Sequence, residues 1–271
     1  MRIEMLIGGA SIGATVFLPD RWRKHRQTAE SCRVMWLLHD KFDVSEDWLA
    51  YTQAEIFAGE RNMALVAPSM SGGRYADWID GCTWESFFPQ FRAYILEMFP
   101  IFSRKKEDQF IFGFGQGGFA AIKYALLSPE SYGMVYSANY NDWPAVETFT
   151  KQKLHQFKRA KNKLGYPKPD ILIHSPENIP WFAEQIKETK NFDTKIFMVC
   201  EADSHEFPRN QEVATSLSSL GFDVTWEEYP KRCLDDKTRP IARFPNWRFC
   251  NEQLEKAVAI ADGMSVDRYQ E

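Results

Sequence analysis

Gly113-Phe114-Gly115-Gln116-Gly117-Gly118 is the stretch that most narrows what this chain can fold into. The apolar run from Gln109 to Phe114 reads as a buried strand. The residues after the turn, Phe119 to Leu127, are apolar at helical spacing. Strand, glycine-framed turn and helix form the context in which a glycine-x-serine-x-glycine motif presents its central residue at a sharp elbow. Such an elbow needs positive φ at its centre and close backbone approach at its flanks, and glycine meets both demands without strain. Here the frame is complete, but its centre is Gly115 where the motif calls for serine.

The rest of the pattern agrees with an alternating architecture. Strands are expected near Ile3–Ile7, Ala14–Leu18, Arg33–Leu38, Met63–Ala67, Gln109–Phe114, Met134–Ala138, Lys195–Cys200 and Asp223–Glu228. Helical spacing marks Trp48–Ala58, Trp84–Met98, Gly117–Leu127, Gln211–Leu220 and Phe249–Ala261, with Gly221 and Pro129 as stop signals. An early strand pair followed by strands alternating with helices predicts an α/β fold with a mostly parallel central sheet covered on both faces. The span 142–193 breaks into polar helical pieces and proline-bounded loops, as expected of a small cap insertion. At 271 residues the expectation is a single domain over 1–271.

Charge and cysteine usage remove several classes of partner. A net charge of -4 gives no global reason to expect nucleic acid or an anionic membrane as partner. No apolar run approaches the ~20 residues that cross a bilayer, and Met1 to Ile7 does not read as a signal peptide. Five scattered cysteines without a C-x-x-C pair favour reduced thiols. A soluble, cytoplasmic protein is expected. The basic run Lys151, Lys153, Lys158, Arg159, Lys161 and Lys163, with His155 and Phe157 between, reads as a solvated helix face, with an anion or acidic-partner site as its alternative.

Further segments have the order and spacing of a known family. These are Leu37-Leu38-His39-Asp40 with Trp48-Leu49, Ala67-Pro68-Ser69 with Tyr75-Ala76-Asp77, and Phe99-Pro100. The elbow follows with Ala121, Lys123, Ala125-Leu126 and Pro129-Glu130, then Cys200-Glu201-Ala202-Asp203, then Asn246-Trp247 with Phe249 and Leu254. Together they resemble the esterase D-like α/β-hydrolases, in the branch of tributyrin esterases related to S-formylglutathione hydrolases. The resemblance implies the α/β-hydrolase fold and a carboxylic ester hydrolase ancestry.

Serine esterase chemistry needs a hydroxyl activated by histidine, with an acid fixing the histidine tautomer. Carried over by position, the nucleophile is Gly115, the acid Asp203 and the base Asn246, so only the acid keeps its chemistry. The oxyanion-hole region corresponds to Gln116 and to Asp40-Lys41, with Asp40 in place of a glycine. Pointing inward, its carboxylate opposes a developing oxyanion; turned to solvent, it caps a turn. His205, two residues past Asp203, is the one histidine with an arguable rescue role as base. His39 reads as a buried, hydrogen-bonded support, while Ser69, Ser71 and Ser137 read as turn hydroxyls.

Neither Cys200 nor Cys233 has the setting of a thiol nucleophile, and no metal-ligand spacing or cofactor motif is present. The segment 231–245 is longer than the resembled family's run into its histidine, and it reads as a tolerated insertion or a contact loop. Two functions remain in contention. One is an esterase-family protein that has lost serine-esterase catalysis and acts as a binding or assembly module, for an ester-like small molecule or a protein, with homo-oligomerisation open. The other is an active carboxylesterase with a displaced catalytic group.

Overall fold

The computed structural model describes residues 1–7, 10–19, 31–41, 43–70, 75–77, 84–142, 173–189, 191–230 and 244–266. Eight strands form one sheet: β1 (Arg2–Ile7), β2 (Ala10–Phe17), β3 (Arg33–Leu38), β4 (Met63–Pro68), β5 (Gln109–Phe114), β6 (Met134–Ala138), β7 (Lys195–Glu201) and β8 (Val224–Tyr229). Seven helices fall in the described residues: α1 (Asp47–Tyr51), α2 (Ala54–Glu60), α3 (Trp84–Met98), α4 (Gln116–Leu127), α5 (Ile179–Thr189), α6 (Phe207–Ser219) and α7 (Phe244–Val266). The strand order is β1-β2-β4-β3-β5-β6-β7-β8. β2 pairs antiparallel with both β1 and β4, and every later pairing is parallel.

The central strands alternate between two cores because successive side chains leave opposite faces of a sheet. Val34, Trp36 and Leu38 join one core with α3, α4, α5 and α6 residues such as Phe88, Ile122, Ala183 and Leu217. Met35 and Leu37 face the other, with Trp48, Phe57 and the α7 residues Leu254 and Val258. β5 is buried along its whole length, which explains why it reads as an unbroken apolar run.

The expected helix Trp48–Ala58 is two helices. Thr52 breaks it: its backbone is extended, its Oγ1 donates to Trp48 O, and the same oxygen accepts from Ala54 N–H at 3.2 Å. A hydroxyl that bonds the local backbone competes with the helix ladder, a contest that apolar spacing does not register. α6 and α7 begin at Phe207 and Phe244, ahead of the expected Gln211 and Phe249, and α6 takes Pro208 into its first turn. The stop at Gly221 is present, with φ of 81°. Within the span 142–193, residues 143–172 lie outside the described residues, the basic run among them. The remainder carries α5, whose Ile179, Ala183 and Ile186 are buried in the first core. Of the segment 231–245, read as an insertion or a contact loop, residues 231–243 also lie outside them, and Phe244 and Pro245 open α7.

Parallel order puts the carboxyl ends of β3, β5, β6 and β7 along one rim of the sheet. That rim is where open α/β sheets place their ligands. Just beyond those ends come His39-Asp40, Gly115, Asn139 to Asn141, and Ala202 to Glu206.

Candidate functional site

Gly115 stands between β5 and α4 with φ 60° and ψ -120°, as the residue immediately before the helix. Its N–H donates to Ala138 O at 3.0 Å, and its carbonyl accepts from Asn141 N–H at 3.0 Å, so the turn is stitched to the end of β6. A Cβ on Gly113 would meet Gly117 O at 1.9 Å, and one on Gly117 would meet Leu38 O at 2.0 Å. The outer glycines are therefore required by the close approach of strand and helix.

The space a side chain on Gly115 would enter belongs to Asp40. A Cβ built there lies 2.5 Å from both Cγ and Oδ1 of Asp40, and the three nearest atoms are all from that residue. Gln116 N–H, the elbow's candidate oxyanion donor, donates to Asp40 Oδ1 at 2.9 Å. The inward alternative for Asp40 is thus the observed one. Its backbone is fixed as well, since Asp40 O accepts from Asp43 N–H at 3.1 Å and lies 2.6 Å from His39 Nδ1. Lys41 follows in the same turn, half-buried.

His39 has the supporting place read from the sequence. Met70 N–H donates to its Nε2 at 2.9 Å, which leaves Nδ1 as the protonated nitrogen that donates to Asp40 O. Burial is the main cause that lowers its pKa, outweighing the nearby carbonyl and carboxylates. Tyr75, at φ 55°, donates its hydroxyl to His39 O at 2.6 Å. Ser69 is a turn hydroxyl, accepting from Ser45 N–H at 2.9 Å. Ser71 lies outside the described residues. Ser137 is instead a buried strand hydroxyl without a hydrogen-bond partner, because the carboxyl end of β6 is covered by α4.

The opposite side of the rim is built differently. Asp203 is exposed, and the His205 side chain is 92% exposed. His205 Nε2 lies 2.6 Å from Glu206 Oε2, although off the line of a hydrogen bond. Glu206 Oε1 accepts from Asn141 Nδ2 at 2.6 Å, so a second carboxylate is tied through one residue to the elbow carbonyl. Burial raises the Glu206 pKa; His205 and Lys41 pull it down, Asp40 and Asp142 push it up. Asp142 forms a buried pair with Arg209, at 2.9 Å from Nε and 2.8 Å from Nη2. Asn246 falls in the first turn of α7, with its side chain outside the described residues.

Asn141 and Arg209 were not singled out from the sequence. The available signal was position, since polar residues directly following β6 and β7 stand at the ligand-binding rim. Lys123 on α4 is also more than part of a resemblance. It is 0% exposed and paired with Glu85 on α3 and with Glu177 ahead of α5. Burial pushes Glu177 up, against the pull of Lys123, and its Oε2 has no partner. Removing one member of such a buried pair costs about 3–5 kcal/mol, so the group anchors the segment before α5 to the elbow helix.

Burial pushes the Cys32 and Cys200 thiols up to about 12 and raises Cys250 well above the ordinary thiol value, which keeps all three protonated. Cys233 lies outside the described residues. Among the described residues no group of three or more His, Cys, Asp or Glu side chains is placed to hold a metal ion, and no helix is long and apolar enough to cross a membrane. A groove of about 700 Å³ lies between α5 and α6 and is lined by residues such as Trp181, Pro208 and Leu220. It contains none of the elbow residues, and the chemistry assigns the site to the rim.

A mostly parallel eight-stranded sheet with a glycine-framed elbow at its rim defines an esterase-type α/β-hydrolase fold. Solved structures with this fold include the S-formylglutathione hydrolase FrmB of Staphylococcus aureus, at TM-score 0.76 and 16% identity over 97% of this chain and 98% of that one. The fluorophosphonate-binding serine hydrolase FphF of the same organism matches at 0.77 and 17% over 97% of each chain. An S-formylglutathione hydrolase of Agrobacterium tumefaciens matches at 0.73 and 13% over 97% and 94%. No family model and no curated protein matches the sequence. At these identities the likeness establishes the fold.

Proposed function

We propose that this chain keeps the esterase scaffold, has given up serine-type acyl transfer, and works as a binding or assembly module. The observation that carries this reading is the Asp40 carboxylate on Gln116 N–H at 2.9 Å. Acyl transfer requires that donor to be free for the oxyanion of the tetrahedral intermediate, and a fixed negative charge there opposes that intermediate. Gly115 supplies no nucleophile, and an asparagine amide at position 246 does not take up a proton near neutral pH. The whole chain, 1–271, acts on this reading as one domain.

The second reading, a hydrolase with a displaced catalytic group, has one observation in its favour: His205 beside Glu206 at 2.6 Å, an imidazole with a carboxylate neighbour. Its weakness is that the hydroxyl beside that pair, Ser204 Oγ, accepts from Glu206 N–H at 3.2 Å and follows no elbow frame, and that the described thiols are buried and held protonated. A chromogenic butyrate ester separates the two readings. The expected result is no turnover above the variant His205→Ala. Turnover at ordinary esterase rates that His205→Ala abolishes would establish the second reading instead.

A further inference from the structure

The rim of this site has more acceptors than donors. Asp40 gives Oδ1 to Gln116 N–H, while its Oδ2 takes no hydrogen bond from the described residues. Glu206 gives Oε1 to Asn141, and its Oε2 is buried without hydrogen-bond geometry to His205. Gln116 supplies an independent third acceptor. The residue is 2% exposed, and its Oε1 has no hydrogen-bond partner. Side chains of a helix lean towards its N-terminus, so from the first residue of α4 this amide leans past the helix end, where the Asp40 carboxylate stands. A buried amide oxygen left without a donor carries a cost that a ligand donor removes.

The charges point the same way. Arg209 is spent on Asp142 and Glu212, and His205 is turned to solvent. Lys41 and His205 both pull on Glu206, whereas among the described residues Asp40 forms no ion pair, so its charge stands beside the elbow. A neutral ester or a carboxylate offers acceptors to a place already crowded with them. A primary ammonium offers three N–H donors, no acceptor and a positive charge.

Building on the non-catalytic reading above, we propose that the remodelled elbow is a receptor for a small organic cation, a primary ammonium whose donors reach Asp40, Gln116 Oε1 and Glu206. n-Butylammonium, butyrate and methyl butyrate, titrated calorimetrically into the whole protein at low ionic strength, test this. Only n-butylammonium is expected to bind saturably. Its affinity should fall by about ten-fold in Asp40→Asn and in Glu206→Gln, as loss of a charge-assisted hydrogen bond implies. It should stay unchanged in Glu188→Gln, which removes an exposed carboxylate on α5.

Amide NMR of the wild type serves as a check that needs no variant, with shifts expected at Gln116 and Asn141 on adding n-butylammonium. Equal affinity across all variants, preference for butyrate, or no binding with no shift at these amides each overturns the proposal. Hydrolysis of the butyrate ester would instead break the non-catalytic reading. A protein that neither hydrolyses the ester nor takes up n-butylammonium leaves that reading standing and removes this inference alone.

Discussion

The loop after β3 and the loop after β7 both carry residues to the rim of the same sheet, and they are held in opposite ways. After β3, His39 is buried, bonded at both ring nitrogens and at its carbonyl, and it fixes Asp40 against the elbow. After β7, Asp203 and His205 are exposed, and only Glu206 reaches back to the elbow strand through Asn141. A catalytic acid and base need the second loop to be as tightly fixed as the first, since misplacement by about 1 Å is enough to lose orders of magnitude in rate. In this protein the ordering lies with the carboxylate held on Gln116 N–H.

The largest effect expected from equalising the two sides comes from rebuilding the triad. Gly115→Ser with Asn246→His and Asp40→Gly should raise turnover of a chromogenic butyrate ester at least about 10³-fold over the wild type, because triad members act as a unit. Gly115→Ser alone should stay inactive: its Cβ would displace Asp40 from Gln116 N–H, and no base would be supplied. Robust hydrolysis by that single variant would show that the β7 loop already delivers a base.

Next in size is the support itself. His39→Ala leaves Met70 N–H without its partner in a buried setting and removes one of the two donors to Asp40 O, and should cost about 3 kcal/mol in denaturant unfolding. A cost under about 1 kcal/mol would mean that the loop after β3 is not the rigid side.

His39 also gives the comparison a pH dependence. Its folded pKa lies below the ordinary 6.5, so in acid the unfolded chain takes up this proton first. Stability from this residue is complete above about 6.5 and is lost as pH falls from there through the folded value. Urea melts between pH 8 and 5 should show that decline, and it should be smaller in His39→Gln. An identical slope in the two proteins would assign the decline to other groups.

The smallest effect belongs to the exposed side. Asp203→Ala and His205→Ala should each change stability by no more than about 0.5 kcal/mol, as surface substitutions do. A loss above about 1 kcal/mol from either would place it in contacts as tight as those of His39.

Most of the fold was legible because it rests on local periodicity. The eight strands lie within a few residues of their expected places, and the elbow follows from the four glycines Gly113, Gly115, Gly117 and Gly118 at the end of one apolar strand. The departures have local causes that hydrophobic spacing does not encode, such as the Thr52 hydroxyl that divides α1 from α2. The chain also declared by itself that residue 115 has no nucleophile, since identity at a motif position needs no coordinates.

Which way Asp40 points was a different kind of question. Cap and plug were equally compatible with the sequence, and the choice depends on Gln116 N–H, a donor 76 residues away that only the β3 and β5 pairing brings within 2.9 Å. The same holds for Glu206, which reaches the elbow through Asn141 because β6 and β7 are neighbours. Periodicity and motif determine which residues each rim loop carries. Which of their charges meet, and which acceptors are left without a donor, depends on contacts between strands distant in the chain, and those were decided by the packed sheet.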